Sequence, residues 1–468
     1  MTSTHHVAQH LRRRLRGPVH VPGEPGYERE RATWSGAIDP RPAVVAAATG
    51  AADVQAALLA ARDHDLPFAV QATGHGTIVP ADGGLLLKTG AMAEVLVDPD
   101  RRIARVGPGA RWGQVIAAAA PFGLAPLSGS SPDVGVAGFT LGGGVGWLSR
   151  RFGFAADSLL RADAVTADGD LVRATPDRNG DLFWALRGGG GNFGVVTSLE
   201  LRLYPVEQVY AGTALFPIAR AGEVLEHYRD WGPELPDELT TTVVLLRESP
   251  DPDIEGPVLA VRGVYAGPRA DAMVALRPLW DVAGPALAGD FREARYADVR
   301  VGGTAPRNFE LYRDLPDAVI DGAIEAIMIG AANAIDVRLW GGAMTGRGVD
   351  AGPVGHRDVP FSITVDGPAE TAAPLARYAT GGSFLNFLHD TSRTESAYTA
   401  ASWERLRAIK RAYDPDNMFR LGHNIPPAAG AYAARLGSAK SSAPIRSRSS
   451  AGTRQAASAS MFSVTDRS

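Results

Sequence analysis

From Ala43 onward the chain alternates short apolar runs with stretches of helical period. Val44–Ala47 reads as a strand. Val54, Ala57, Leu58 and Ala61 then recur at i, i+3, i+4 and i+7, which predicts a helix from Ala51 to about His64 with Thr49 as its cap. Pro67 closes the unit and Phe68-Ala69-Val70 forms the next strand, so this part opens as strand–helix–strand. Leu85–Leu87, Glu94–Val97 and Ile103–Val106 read as strands, and Trp112–Ala120 as a helix stopped by Pro121. Val195–Leu203 alternates with period two, the mark of a strand with one wetted face. Beyond Tyr204-Pro205 strands and helices mix. Thr240–Leu246 and Val258–Tyr265 read as strands, and Ala270–Arg277 as a helix that Pro278 ends. Ser402–Tyr413 is a helix with Trp403, Leu406, Ile409 or Lys410, and Tyr413 along one side. A short helix at Val7–Leu15 precedes all this. After Gly430 large apolar residues are scarce, so residues 429–468 are expected to form a disordered tail.

Length and charge narrow the picture. A chain of 468 residues exceeds what one core supports, so two lobes are expected. A net charge of −4 argues against a nucleic-acid binder, which needs a basic footprint, and the run Arg12-Arg13-Arg14 reads as a solvated helix face. The absence of cysteine excludes disulfides, zinc–thiolate sites and thiol nucleophiles. The basic N-terminus lacks a following apolar stretch and no run is long enough to span a bilayer, so the expectation is a cytoplasmic protein with no membrane partner.

Candidate chemistry lies in the glycine-rich turns. Gly189, Gly191 and Gly194 match G-x-G-x-x-G, but a strand follows where a nicotinamide-binding fold needs a helix. Glycines at 142–146 and 188–194 let backbone N–H groups approach an anion or a flat ring, and turns between packed strands would look the same. His75 sits in Gln71-Ala72-Thr73-Gly74-His75-Gly76-Thr77. A neutral imidazole can attack an electrophilic carbon, and a histidine between two glycines can equally be an ordinary loop residue.

Four blocks together resemble the berberine-bridge-enzyme-like oxidoreductases, within the vanillyl-alcohol-oxidase group with PCMH-type FAD-binding domains. They are Thr73-Gly74-His75; Val134 to Gly138 with Leu141 to Trp147; Asp181 to Thr197; and Arg405 to Asn417 with Asn424-Ile425-Pro426. The resemblance implies an α+β fold of two lobes. An N-terminal extension (1–34) precedes a PCMH-type FAD-binding domain (35–207), then comes a smaller α/β substrate lobe (208–384), and a segment (385–428) returns to the FAD lobe. It implies FAD bonded to His75 through its 8α-methyl carbon. The 71–77 turn and the loop carrying Ser130, Ser131, Val134, Gly135, Gly138, Gly142, Gly143 and Gly146 would hold it, with Val196 and Asn424 lining it. Ser131 stands where many members carry a second, cysteinyl bond, so a single bond is expected. Thr73 replaces a glycine, and Gln71 an arginine. Phe384-Leu385-Asn386-Phe387 replaces Tyr-x-Asn-Tyr/Phe, so the family's tyrosine base is missing. Asn386 and Tyr398 are the catalytic candidates, with Tyr312, His356 and His389 as other bases. The implied reaction moves a hydride from a small organic substrate (an alcohol, sugar or secondary metabolite) to FAD and then to dioxygen. Val134, small and branched, leans toward oxidase behaviour. A dehydrogenase or a non-catalytic flavoprotein of the same fold is the alternative.

Overall fold

The structure is a computed structural model that describes residues 3–34, 36–346 and 351–429. The tail expected to be disordered lies, from residue 430 on, outside the described residues.

The first sheet takes β1 (Val19–His20), β2 (Val44–Ala47), β3 (Phe68–Gln71) and β4 (Leu85–Lys88) in the order β1-β2-β4-β3. β4 pairs in parallel with both β2 and β3. The helix Ala51–Asp63 makes the crossover and buries Val54, Ala57, Leu58 and Ala61 against the sheet, as its periodicity requires. Its cap differs from expectation. Gly50 is the N-cap residue, and Thr49 instead donates its N–H and hydroxyl to the Asp53 carboxylate at 2.8 and 2.7 Å. Asp53 also accepts from the Arg16 N–H, so a carboxylate in the first turn satisfies three donors near the positive end of the helix dipole.

The second sheet is antiparallel: β5 (Val95–Asp98), β6 (Ile103–Val106), β7 (Leu159–Val165), β8 (Leu171–Ala174) and β9 (Val195–Arg202), ordered β5-β6-β9-β7-β8. The strand after the 188–194 glycines is therefore its centre, and no helix follows Gly194 as a nicotinamide site would need. The helix Ala400–Tyr413 packs here through Trp403, Leu406, Ile409 and Tyr413, and Thr399 caps it by accepting from the Ser402 N–H. Buried Lys410 joins this helix to the glycine loop. Its ammonium donates to the Asn192 carbonyl at 2.9 Å, the Asp414 carboxylate at 2.6 Å and the Phe419 carbonyl at 3.2 Å.

The third sheet has seven antiparallel strands: β10 (Gln208–Pro217), β11 (Leu239–Leu246), β12 (Val258–Tyr265), β13 (Ala288–Arg295), β14 (Asn308–Tyr312), β15 (Ala334–Leu339) and β16 (Phe361–Asp366), ordered β13-β10-β12-β11-β15-β16-β14. The helices Ala221–Trp231, Arg269–Ala283 and Asp317–Met328 cover one face, where Val243, Val261, Ile335, Val337 and Ile363 form the core. The helix at 269–283 runs through Pro278 rather than ending there. Proline removes the hydrogen bond to the carbonyl four residues back, and Val274 is 75% exposed, so water can solvate that carbonyl. The opposite face packs on the first half of the chain: Val264 and Ala211 share a core with Trp147, and Phe309, Leu311 and Trp340 share one with Val145 and Phe154.

Candidate functional site

Strand β3 delivers Gln71 and then breaks into the turn at 72–77. Gln71 is buried and donates its amide to the Ala32 carbonyl at 3.0 Å. Gly74 adopts φ +77, and a Cβ there would lie 2.2 Å from the Gln71 amide nitrogen, so the turn admits only glycine. His75 follows on the exposed side, its ring 5.3 Å from that of Trp34. The surrounding protein desolvates the imidazole and lowers its pKa from the ordinary 6.5, which keeps the nucleophilic, neutral form dominant at neutral pH. Among the described residues, the N–H groups of His75 and Gly76 meet no hydrogen-bond acceptor.

The turn abuts the 130–146 loop, because a Cβ on Gly135 would lie 3.0 Å from the Thr73 hydroxyl. Ala72 lies beside Gly90 on the same side. Ser130 is exposed; the Ser131 hydroxyl accepts from the Asp133 N–H at 3.4 Å. Val134 is half-buried against the core that holds Trp112, and its carbonyl accepts from the Trp112 N–H. The loop's glycines divide into two groups. Added Cβ atoms on Gly142, Gly143 and Gly146 would strike Asn386, Phe384 and the Ser128 carbonyl, so protein already fills those faces. Gly76 and Gly138 have nothing within 4 Å at that position. Those two open glycines face space that a ligand can take; at the others packed protein fills the place of the missing Cβ.

Asn386 closes this arrangement. Its carbonyl oxygen accepts from the Gly144 N–H at 2.8 Å and its amide donates to the Phe139 carbonyl at 3.3 Å, locking the glycine loop. Val196 is buried on β9. Asn424 is half-buried with its Oδ1 lacking a partner among the described residues, an acceptor left for a ligand donor.

The base candidates are scattered. The Tyr398 hydroxyl is buried and donates to the Gly188 carbonyl at 3.1 Å, and burial pushes its pKa up. Tyr312 lies in the core on the helix-covered side of the third sheet. His356 bonds the Ser396 carbonyl, and His389 is exposed. Arg357, beside His356, grips buried Asp157 through two hydrogen bonds of 3.0 and 2.9 Å. Phe384 and Phe387 sit with Phe154, Phe309 and Trp340 in an aromatic cluster that contains no proton acceptor.

Sequence reasoning missed two features. Trp34 flanks His75 and lies under the Arg111 guanidinium, 5.9 Å away, and no local pattern marks it. The face of the third sheet away from its helices carries Thr240, Thr242, Arg262, Asp336, Arg338 and Ser362, with Arg338 5.1 Å over the ring of Trp147. Asp336 and Arg338 stand two apart in an otherwise apolar strand, which is a legible signal.

The residues present suit a flavin dinucleotide: a nucleophilic imidazole, free N–H groups in a tight turn, two open glycines and an unpartnered amide oxygen. Comparisons with known proteins agree. Residues 42–175 match the family described as FAD binding domain, and residues 383–426 that described as berberine and berberine like. The (R)-6-hydroxynicotine oxidase of Paenarthrobacter nicotinovorans is 29% identical over 88% of this chain and 97% of its own. The crystal structure of 6-hydroxy-D-nicotine oxidase from Arthrobacter nicotinovorans superposes with a TM-score of 0.77 at 27% identity, over 88% of this chain and 98% of that one. BBE-like 1 of Physcomitrella patens gives 0.80 at 23% identity, over 90% and 99%. The α+β, two-lobed PCMH-type class expected from the motifs is borne out. Among the described residues no helix is long and apolar enough to cross a membrane. By its motifs, its fold and these matches, the chain carries a FAD-binding domain and a berberine-like segment, and over most of its length it is similar to FAD-linked oxidoreductases.

Proposed function

We propose that the chain is an FAD-dependent oxidase of a small organic substrate, holding its flavin by a single covalent bond to His75, with dioxygen as electron acceptor. In this reading residues 35–207 and 385–428 hold FAD and residues 208–384 cover the substrate. The observation that carries it is the turn at 72–77, where an exposed imidazole of lowered pKa stands beside unpaired N–H groups. Bound FAD supplies the hydride acceptor and the route of electrons to dioxygen.

The chain's own residues do the rest. His75 anchors the isoalloxazine ring, and Ser131, lacking a thiol, offers no second bond. The N–H groups of His75 and Gly76 are free for pyrophosphate oxygens, and the Asn424 oxygen for a ring N–H. Asn386 is a positioning residue: it fixes the 142–146 turn and so the plane on which substrate rests. Tyr398, committed to the Gly188 carbonyl, serves packing. The relatives named as oxidases support an oxidase assignment, and Val134 is a small branched side chain at the position that the family resemblance associates with oxygen access. The aromatic cluster at 384 and 387 favours a second reading, a flavin carrier without turnover. A screen of alcohols, sugars, amines and hydroxy acids decides. Bleaching of the flavin with peroxide release supports the oxidase. Bleaching without peroxide makes it a dehydrogenase, and no bleaching by any class supports the carrier.

A further inference from the structure

The third sheet turns an apolar face to its helices and a partly polar one to the 142–147 loop. In register, Thr242 on β11 pairs with Arg262 on β12 and with Arg338 on β15. Neighbouring strands lie about 4.8 Å apart, so the two arginine Cα atoms are separated by roughly 10 Å and both side chains can reach one group between them. Arg338 lies 5.1 Å over Trp147, which places this strip against the flavin-side loop. Asp336 accepts the Thr242 hydroxyl at its Oδ1, between the two arginines, and its charge acts on Arg262. Arg262 has a buried Nη1 with no acceptor among the described residues, and the buried Thr240 hydroxyl is in the same state.

The local charge count is two guanidinium groups against one buried carboxylate. Arginine does not shed its proton, even where burial and the neighbouring Arg338 push its pKa down, as they do for Arg262 against the opposing pull of Asp336. Arg262 is half-buried, and its buried Nη1 has no acceptor among the described residues, which is costly to the fold unless something pairs with it. Planar guanidinium forks match a planar carboxylate through paired N–H···O bonds. Asp336 within the strip disfavours a second negative charge, which selects a monoanion over a phosphate dianion. Beside the strip, Phe154, Phe309, Trp340 and Phe384 pack into a buried aromatic cluster, and Trp340 donates to the Ser362 hydroxyl of the strip at 2.8 Å.

We propose that the substrate is an amphiphilic carboxylic acid, its carboxylate held between Arg262 and Arg338 and its apolar part lying along Trp147 toward the flavin. This rests on the reading of the site as a flavin-dependent oxidoreductase and adds the substrate class to it.

The test is calorimetric titration of the flavin-loaded protein with phenylacetate and 2-naphthoate, each against its neutral amide. At least one acid should bind about tenfold or more tightly than its amide. Arg262→Gln should erase that preference, Arg338→Gln should reduce it, and Arg262→Lys should keep part of it. The Arg262→Gln protein should keep its flavin content and melt no lower than wild type, since it loses a half-buried cation whose Nη1 is unpaired among the described residues. Amides binding as well as acids, no saturable binding of either acid, or a preference unchanged in Arg262→Gln would overturn the proposal. Binding heat does not depend on flavin chemistry. A flavin-loaded protein that no substrate class bleaches would therefore defeat the functional reading while leaving this titration decisive.

Discussion

Arg150 is buried and Arg262 half-buried, neither with a carboxylate in hydrogen-bond contact among the described residues, and the fold treats them in opposite ways. Arg150 lies on the short helix Ser149–Phe152 and reaches into the third sheet. It donates to the Leu239 carbonyl at 2.8 Å, the Leu235 carbonyl at 3.0 Å and the Trp340 carbonyl. Those carbonyls sit around the ends of β11 and β15, so the side chain fastens the sheet to the flavin-side loops. Arg262, three strand positions from the end of β12, leaves Nη1 without an acceptor among the described residues. Charge is the same, but Arg150 is buried and Arg262 half-buried, and satisfaction differs. A saturated buried cation is a structural clasp, whereas an unsaturated one is a donor held ready, at a cost in stability.

The satisfied class should be the more fragile. Lys410→Met strands Asp414 in the core, and Asp414 there also holds the Met418 and Phe419 N–H groups. Breaking a buried pair in this way should lower stability by about 3–5 kcal/mol, read by urea denaturation. Arg150→Met should cost about 3 kcal/mol in the same assay, because three buried carbonyls lose their donor. Arg262→Gln should change stability by no more than about 1 kcal/mol, and in the stabilising direction; a loss as large as that of Arg150→Met would erase the contrast. Asp336→Asn removes the one buried negative charge of the strip, and should tighten phenylacetate or 2-naphthoate binding by roughly threefold to tenfold. Weaker binding would show that Asp336 does not oppose the anion.

The flavin side of this contrast is largely legible in the sequence. The strands at 44–47, 68–71 and 103–106 and the last helix stand out because their signals are local: period and proline stops. The motif blocks around His75, 134–147 and 181–197 locate the flavin-side loops for the same reason. What escapes is non-local. Arg262 and Arg338 lie on strands far apart in the chain and become neighbours only through Thr242 between them. Pro278 marks a stop that solvent at Val274 makes unnecessary. The glycines at 142, 143 and 146 read as ligand contacts, yet Phe384, Asn386 and Ser128 occupy the space their missing side chains leave. Glycine content shows that something comes close, without showing whether it is ligand or protein.

The lowered pKa of His75 gives the smallest effect. Below its pKa the imidazole is protonated and cannot attack carbon, so covalent attachment of FAD to flavin-free protein should have its half-maximal rate at a pH under 6.5. A midpoint above 6.5 would mean that a partner charge, rather than desolvation, governs the ring.

The histidyl bond itself is tested by precipitating purified protein with acid and following the yellow colour, with His75→Ala alongside. Colour should stay with the wild-type pellet and pass to the supernatant in the variant. Colour released from the wild type would contradict the histidyl bond, and colour retained by His75→Ala would place the bond on another residue.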